Sequence, residues 1–392
     1  MSWAEKTLDE LGTISRGRSR HRPRDAAHLY GGDYPFIQTG DVKHAGLYLT
    51  NFEQTYSEAG LAQSKLWPEG TLCITIAANI ADTSILKIKA CFPDSVIGFI
   101  PDVEKADARF IKYLFDAMLK RKYKAFTQGA AQDNLSQEKL LSIKFPVPDI
   151  TTQQNIAAVL ATYDDLIENN KRRIELLEES SRQLYKEWFV RFRFPGHEHV
   201  KIIDGVPEGW EKANLLEVAR PTYGFAFKSD LFSEEPRGLP IVRIRDVPYR
   251  ESETYTTEET TEDKILTDGD FLIGMDGDFH MNYWAGGKAW LNQRVVMLEG
   301  KELLTTGFIK HAVEKPIKDF NETITGTTVR HLGAKHLKMI NVIFPKGPLL
   351  DQANCFFEDI RNQVVLIAQQ NRALNKARDL LLPKLMSGEI AV

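Results

Sequence analysis

The chain has 392 residues and a formal net charge of −4 at pH 7. This length predicts two or three domains, each large enough for its own core. No apolar run approaches the ~18 residues of a membrane span, and the polar N-terminus lacks the regions of a signal peptide. Three widely separated cysteines indicate neither a disulfide framework nor a zinc site. We therefore expect no membrane association and a cytoplasmic location.

Residues 1–150 are predicted to form a first domain. Runs rich in β-branched and aromatic residues, such as those at 34–37, 72–76 and 95–100, indicate strands. The stretch 106–126 carries apolar side chains at helical spacing. This mixture predicts a domain of α/β type.

Near its start, the first domain has a segment that is unusually rich in arginine. Arg16, Arg18, Arg20, Arg22 and Arg24 alternate with other residues over a short stretch. An extended basic arm of this kind can follow phosphates or place guanidinium groups in a groove of DNA. The alternative is a solvated loop. We predict DNA contacts by the first four of these arginines.

Two polar loops are further candidates in the first domain. Gln38 and Thr39 follow a predicted strand, in a turn that Asp41 is expected to brace by accepting backbone hydrogen bonds. A later loop combines small residues, which let the backbone approach a ligand, with amide side chains, which read base edges. Its predicted DNA contacts are Gln128, Gly129, Ala130, Gln132 and Asn134.

Residues 151–192 are predicted to form a long central helix. Apolar residues from Ile156 to Trp188 alternate in steps of four and three, which is the heptad pattern of a coiled coil. An ordinary amphipathic helix packed on a domain is the alternative. Asn170 lies on this seam, where a polar residue costs stability but fixes the register when it finds a partner.

The second half of the chain repeats the first in the same order. After a linker at 193–207, a second domain at 208–350 and a second long helix at 351–388 are predicted, with Asn371 on the second seam. The fold class is therefore two α/β domains, each followed by a long helix. The helices are predicted to pair as an antiparallel coiled coil with a pseudo-two-fold, in which the two asparagines meet. Recurring landmarks are Trp3, Leu8, Glu10 and Phe110-Ile111-Lys112, which return as Trp210, Leu215, Glu217 and Phe308-Ile309-Lys310.

The second domain has candidate DNA contacts at the corresponding places. The turn 243–246 matches the turn 38–41, and the loop around Gly326 matches the loop around Gly129. Because the matched places differ in side chain, they suit two readers with different targets. The predicted contacts are Lys228, Arg243, Arg245, Thr327, Thr328, Arg330 and His331.

No motif indicates catalysis, a cofactor or a metal. The sequence lacks the phosphate-binding loop, the Asn/Asp-Pro-Pro-aromatic tetrapeptide that amino-methyltransferases use to hold an extruded base, and the His and Cys pairs of zinc sites. The stretch 274–278 resembles half of a calcium loop, but Ala285 stands where the loop's last acidic ligand belongs. We interpret it as a turn and predict a recognition protein without a catalytic, cofactor-binding or metal site.

Several stretches together resemble the specificity (HsdS) subunit of type I restriction–modification systems, over essentially the whole chain. They surround both predicted helices and open the second domain. They are Phe145-Pro146-Val147-Pro148, Gln153-Gln154-Asn155-Ile156-Ala157, the run 167–179, Leu184-Tyr185-Lys186-Glu187-Trp188-Phe189, Gly205-Val206-Pro207-Glu208-Gly209-Trp210 and the ending 382–390.

This resemblance implies a DNA-binding subunit in a larger complex. Each domain is expected to read one half of a bipartite, asymmetric target in double-stranded DNA, with the coiled coil setting the spacing. Methylation and cleavage are expected in partner subunits. Two HsdM modification subunits would bring S-adenosylmethionine, and HsdR restriction subunits would use ATP with Mg²⁺. This chain itself would be non-catalytic and hold no cofactor.

Two other functions are compatible with parts of the pattern. One is a divergent DNA methyltransferase or restriction fusion with its own catalysis, although two recognition domains leave no room for a catalytic domain. The other is a scaffold with duplicated domains that bind something other than DNA.

Overall fold

The chain divides into two units, and each contains one of the two repeats found in the sequence. A computed structural model describes residues 3–77, 81–120, 137–323 and 330–392, with the backbone alone at 119 and 120. The first unit comprises Met1–Ile167 and Leu374–Val392, and the second comprises Glu168–Ala373. Each unit therefore holds one α/β domain and one segment of each long helix.

The first unit is centred on a five-stranded sheet in the order β2-β8-β6-β7-β4. Two-stranded pairings join β1 to β9 and β3 to β5. The helices are Leu8–Leu11, Thr39–His44, Glu58–Ala62, Ala108–Phe115, which a π-helical turn Asp116–Lys120 continues, and Gln137–Ser142. The strands are β1 (Ala4–Lys6), β2 (Gly12–Arg16), β3 (Tyr30–Phe36), β4 (Tyr48–Leu49), β5 (Gln54–Tyr56), β6 (Leu72–Thr75), β7 (Thr83–Leu86), β8 (Val96–Pro101) and β9 (Phe145–Val147).

The second unit repeats this arrangement with a larger second sheet. The order β13-β21-β18-β19 corresponds to β2-β8-β6-β7, and β12-β22 corresponds to β1-β9. The second sheet has the order β14-β16-β15-β20-β17 and enlarges the pair β3-β5 of the first unit, and β10 and β11 form a hairpin. The helices are Leu215–Val218, Thr306–Thr323 and Ala334–Leu337. The strands are β10 (Ile202–Ile203), β11 (Val206–Pro207), β12 (Glu211–Asn214), β13 (Ala219–Tyr223), β14 (Phe232–Ser233), β15 (Leu239–Val242), β16 (Tyr255–Thr256), β17 (Ile265–Leu266), β18 (Phe271–Gly274), β19 (Met281–Tyr283), β20 (Ala289–Leu291), β21 (Val295–Gly300) and β22 (Asn341–Phe344).

The recurring residues of the sequence have the same structural role in both units. Leu8 and Leu215 are fully buried at the start of equivalent short helices. Glu10 accepts a hydrogen bond from the backbone N–H of Thr7 at 2.9 Å, and Glu217 accepts one from Asn214 at 3.1 Å. In each case the acid satisfies an N–H that the first turn of a helix leaves free.

Two long helices follow the domains and run antiparallel within each unit. The central helix spans Ile150–Tyr185 and the C-terminal helix spans Pro348–Met386. In the first unit, the start of the central helix and the end of the C-terminal helix join one hydrophobic core. In the second unit, the opposite ends join the other core. The predicted fold class and the predicted antiparallel pairing are confirmed.

The heptad seam of the central helix faces inward along its length. Every predicted seam position from Ile156 to Trp188 is buried or half-buried, whereas Glu168 and Lys171 beside it are exposed. The two seam asparagines are in contact, since the Asn170 amide donates a hydrogen bond to Oδ1 of Asn371 at 2.9 Å. That this pair fixes the register of the helices stays a prediction.

A buried group of charges attaches the second domain to the central helix. Glu178 of that helix accepts hydrogen bonds from Lys310 at 2.8 Å and from Arg250 at 3.0 Å. The Lys310 and Arg250 side chains are only 8% and 12% exposed. Burial opposes ionisation of Glu178, but the charges of Lys310 and Arg250 outweigh it and lower the pKa of this carboxyl. The repeated Lys310 is thus a structural cation.

Removing this carboxylate is expected to destabilise the second unit strongly. Glu178→Ala leaves two buried cations without their partner, a type of change that costs about 3–5 kcal/mol. Urea unfolding of the second unit measures the decrease in its free energy of unfolding. Glu175→Ala is the matched control, because Glu175 lies on the same helix with its side chain 66% exposed. Equal stability of the two variants would contradict this role for Glu178.

Candidate nucleic-acid interface

The arginine-rich segment of the first unit is extended but held to the domain. Gly17 donates a backbone hydrogen bond to Val96 at 2.9 Å, and Arg18 donates one to Phe92 at 3.0 Å. The carbonyl of Arg18 accepts a hydrogen bond from the Ser64 hydroxyl at 2.8 Å. The segment therefore extends β2, the edge strand that pairs with β8, and is not a free arm.

The anchoring places the guanidinium groups on one side of the segment. Arg16, Arg18 and Arg20 are exposed, and the intervening Gly17 and Ser19 are buried. This alternation is the period of two expected of extended chain. Three cations are thus presented to solvent at every second position, a spacing that suits a phosphate backbone.

Most of these arginines have no acidic partner. Within the described part of the chain, no ion pair joins a carboxylate to Arg16, Arg18, Arg20 or Arg22, although Arg22 donates hydrogen bonds to nearby backbone carbonyls. Arg24 differs, because it pairs with Asp94 at 2.9 Å. The uncompensated positive charge favours an anionic ligand.

Lys65 adds a further cation that no sequence pattern indicates. Its ammonium group lies 3.7 Å from the ring centroid of Trp67. Partial burial, and then the positive charge of Arg18, lower the pKa of Lys65. Two positive charges held close together are typical of a site that binds an anion. Lys65 stands far from the arginines in sequence, so no local pattern reveals it.

The second unit has an aromatic segment where the first has arginines. Gly224 donates a backbone hydrogen bond to Val295, and Phe225 donates one to Leu291, which repeats the pairing of Gly17 and Arg18. A side chain at either glycine would overlap a neighbouring carbonyl, so glycine is required at both places. Phe225 therefore stands where the first unit has Arg18.

The polar turns after β3 and β15 also correspond. Asp41 accepts a hydrogen bond from the backbone N–H of Gln38 at 2.7 Å, and Asp246 accepts one from Arg243 at 2.9 Å. These contacts confirm that the two aspartates brace their turns. Gln38 is exposed, and its amide donates to Oε1 of Gln54 at 2.6 Å.

The two arginines of the second turn have different surroundings. Arg243 is 22% exposed, and its guanidinium is bound to Asp246 and to the hydroxyl of Thr254. Arg245 is 70% exposed, with its Nε 3.9 Å from Asp246. Arg243 is therefore part of the turn's own structure, whereas Arg245 projects toward solvent. Lys228, the other candidate before this turn, is exposed.

A third candidate site lies in the second unit, where Arg330 and His331 contact the loop that follows β18. Gly277 donates a backbone hydrogen bond to Arg330 at 3.0 Å, and Leu332 donates one to Met275 at 2.7 Å. The ring of His331 contacts Asp276, with Nδ1 2.6 Å from Oδ1. Arg294 approaches the other oxygen of that carboxylate at 3.5 Å.

This arrangement brings together residues that the sequence treats separately. Gly274 ends β18, and residues 275–278 lie in the loop between β18 and β19, with Gly277 at φ +73°. Asp276 and Arg294 were not among the predicted contacts, because only the fold brings them beside His331. Thr39, also predicted, is half-buried and begins the helix Thr39–His44. The remaining predicted residues lie outside the described residues: Gln128, Gly129, Ala130, Gln132, Asn134, Thr327 and Thr328.

A protein-family model matches most of the chain. The model described as "Type I restriction modification DNA specificity domain" matches residues 1–179 and again 207–371. The chain belongs to this family. The two matches coincide with the two repeats, so this DNA specificity protein carries two recognition domains.

Individual relatives agree with the family. The chain is 25% identical to the type I restriction enzyme MjaIX specificity subunit of Methanocaldococcus jannaschii, covering all of this chain and 94% of that protein. It is 34% identical to the EcoBI specificity subunit of Escherichia coli over 38% of this chain and 31% of that one. Its fold is similar to that of a type I restriction–modification S subunit from M. genitalium, with a TM-score of 0.58 and 16% identity, covering 98% of this chain and 96% of that one.

Among the described residues, no group of three or more His, Cys, Asp and Glu side chains is arranged to hold a metal ion. In the same part of the chain, no helix combines the length and apolar character needed to cross a bilayer.

Proposed function

We propose that this DNA specificity protein reads a bipartite, asymmetric sequence in double-stranded DNA, with each unit reading one half. The observation that carries the proposal is the pairing of like frameworks with unlike exposed side chains. Arg18 and Phe225, both exposed, occupy equivalent backbone positions, and the residue before the bracing aspartate is Gly40 in the first turn and the exposed Arg245 in the second. Equal frameworks with different side chains suit two different half-sites, because specificity lies in the groups that reach base edges.

The paired helices are proposed to set the unread gap between the half-sites. The central helix has 36 residues, which corresponds to about 54 Å at 1.5 Å per residue. Two readers joined by a stiff connection bind two half-sites as a bivalent ligand, so affinity is high only when the spacing matches.

Catalysis is proposed to lie in partner subunits. Two HsdM modification subunits would contribute S-adenosylmethionine, and HsdR restriction subunits would contribute ATP hydrolysis with Mg²⁺. The chain itself would hold no cofactor and carry out no reaction, and it would act in the cytoplasm. The support is the family relationship together with the absence of catalytic motifs from the sequence.

Substitution in one unit is expected to change the reading of one half-site. Arg245→Ala removes an exposed guanidinium that can bind a guanine edge through two hydrogen bonds, so discrimination should fall about tenfold at one base pair. Selection from a randomised duplex library by the chain with its modification subunits measures the base preference at every position. Glu235 and Arg237 pair on the surface of the same unit, and Arg237→Ala is the matched control. Relaxation in both halves after Arg245→Ala would contradict separate readers.

A further inference from the structure

Three segments of the second unit converge on the carboxylate of Asp276. The loop after β18 supplies Asp276, and Arg294 immediately precedes β21. His331 belongs to the segment before the helix Ala334–Leu337. Backbone hydrogen bonds fix the convergence, since Met275 donates to Arg294 at 2.9 Å and Leu332 donates to Met275 at 2.7 Å. The cluster is thus held by the framework and not only by side-chain contacts.

The carboxylate is more buried than the two groups it holds. The Asp276 side chain is 23% exposed, whereas those of His331 and Arg294 are 47% and 55% exposed. Arg330, which precedes His331, is also exposed. The acid is therefore less exposed than the polar side chains around it, as expected of a residue that positions other side chains for a ligand.

The contact with Asp276 determines which nitrogen of His331 carries the proton. An ionised carboxylate only accepts hydrogen bonds, so Nδ1 of the ring must donate to it. In the neutral imidazole, Nε2 is then an acceptor. Acceptor side chains read the exocyclic amino groups of adenine and cytosine in the major groove, which arginine and lysine cannot do.

We propose that Asp276 is a positioning residue of the second domain and that His331 is a base-reading residue. Asp276 holds the His331 ring so that Nε2 accepts a hydrogen bond from the amino group of an adenine or a cytosine. Arg294, bound to the same carboxylate, supplies a donor beside it for a phosphate or a base acceptor. This inference rests on the proposed function, and it assigns one position of the second half-site to an amino-bearing base.

The test is a double-mutant cycle in which the measured quantity is the base preference at each position of the target. Asp276→Ala, His331→Ala and the double variant are prepared in the full chain, and each is used with the modification subunits to select from a randomised duplex library. Asp276→Asn is included because the amide oxygen still accepts from Nδ1. Asp278→Ala is the matched control, an exposed acid on the same loop. Thermal unfolding checks that each variant is folded.

In both single alanine variants, we expect the preference for an amino-bearing base at one position to fall about tenfold. The double variant should lose no more than His331→Ala, because the two residues act through one contact. Asp276→Asn should keep most of the preference, and the first half-site should be unchanged in all variants.

Three results would overturn the inference: an additive loss in the double variant, an Asn variant as weak as the Ala variant, or an unchanged preference in His331→Ala. Failure of the proposed function has a different signature. In that case the unsubstituted chain itself would select no two-part sequence, whereas failure of this inference alone leaves that selection intact.

Discussion

Replacing Arg16, Arg18 and Arg20 together by alanine is expected to weaken binding to every duplex, whatever its sequence, by more than about tenfold near physiological salt. The three guanidinium groups lie on one exposed side of an anchored segment and have no acidic partner within the described residues. Each phosphate contact contributes about 0.9 to the slope of log affinity against log salt concentration, so the slope should fall by about 2–3. Fluorescence anisotropy over a salt series measures both quantities.

Arg24→Ala provides the matched control for this experiment. Arg24 belongs to the same segment, but its guanidinium is bound to Asp94, so its loss should leave the slope nearly unchanged. If the triple variant kept the salt slope of the unsubstituted chain, the segment would be a solvated loop and the interface of the first domain would lie elsewhere.

Lengthening both long helices is expected to change the gap between the half-sites without changing either half-site. Four residues inserted after Ile167 and four after Ala373 add about one turn, or about 6 Å, at places where the antiparallel pair passes from one unit to the next. The selected gap should grow by about one to two base pairs. Affinity for the original target should fall by about 10²–10⁴, because both readers no longer engage together.

The control insertion places the same four residues between Asp204 and Gly205, in the turn of the β10–β11 hairpin. This turn lies outside both long helices, so the gap should stay the same. Selection from a randomised duplex library compares the two proteins. An unchanged gap after helix insertion, or a change in the bases of either half-site, would contradict the spacing role of the helices.

Repetition made much of the fold predictable from the sequence. Because Leu8, Glu10 and Phe110-Ile111-Lys112 recur in order, the two domains could be aligned without a structure, and the heptad spacing identified both helices. Local signals of this kind act over a few residues, as in the N–H of Thr7 bound by Glu10. Such contacts depend little on the rest of the chain.

The parts that escaped prediction depend on contacts between distant residues. Lys65 lies near Arg18, and Asp276 lies beside His331, only because the fold brings together segments that are far apart in sequence. The buried partners of Glu178 come from two further segments of the second domain. No spacing rule within a single sequence reveals such pairs. The structure therefore corrects the predicted DNA contacts more than it corrects the predicted fold.

The most direct test of the account is genome-wide mapping of methylated adenines in cells that carry this chain together with the proposed modification and restriction subunits. Two independent readers on a fixed spacer predict one asymmetric sequence made of two short specific parts separated by a gap of constant length. A second map, made with the Arg245→Ala chain, should differ in one part only. A contiguous target, a variable gap, or methylation unrelated to sequence would contradict the central claim.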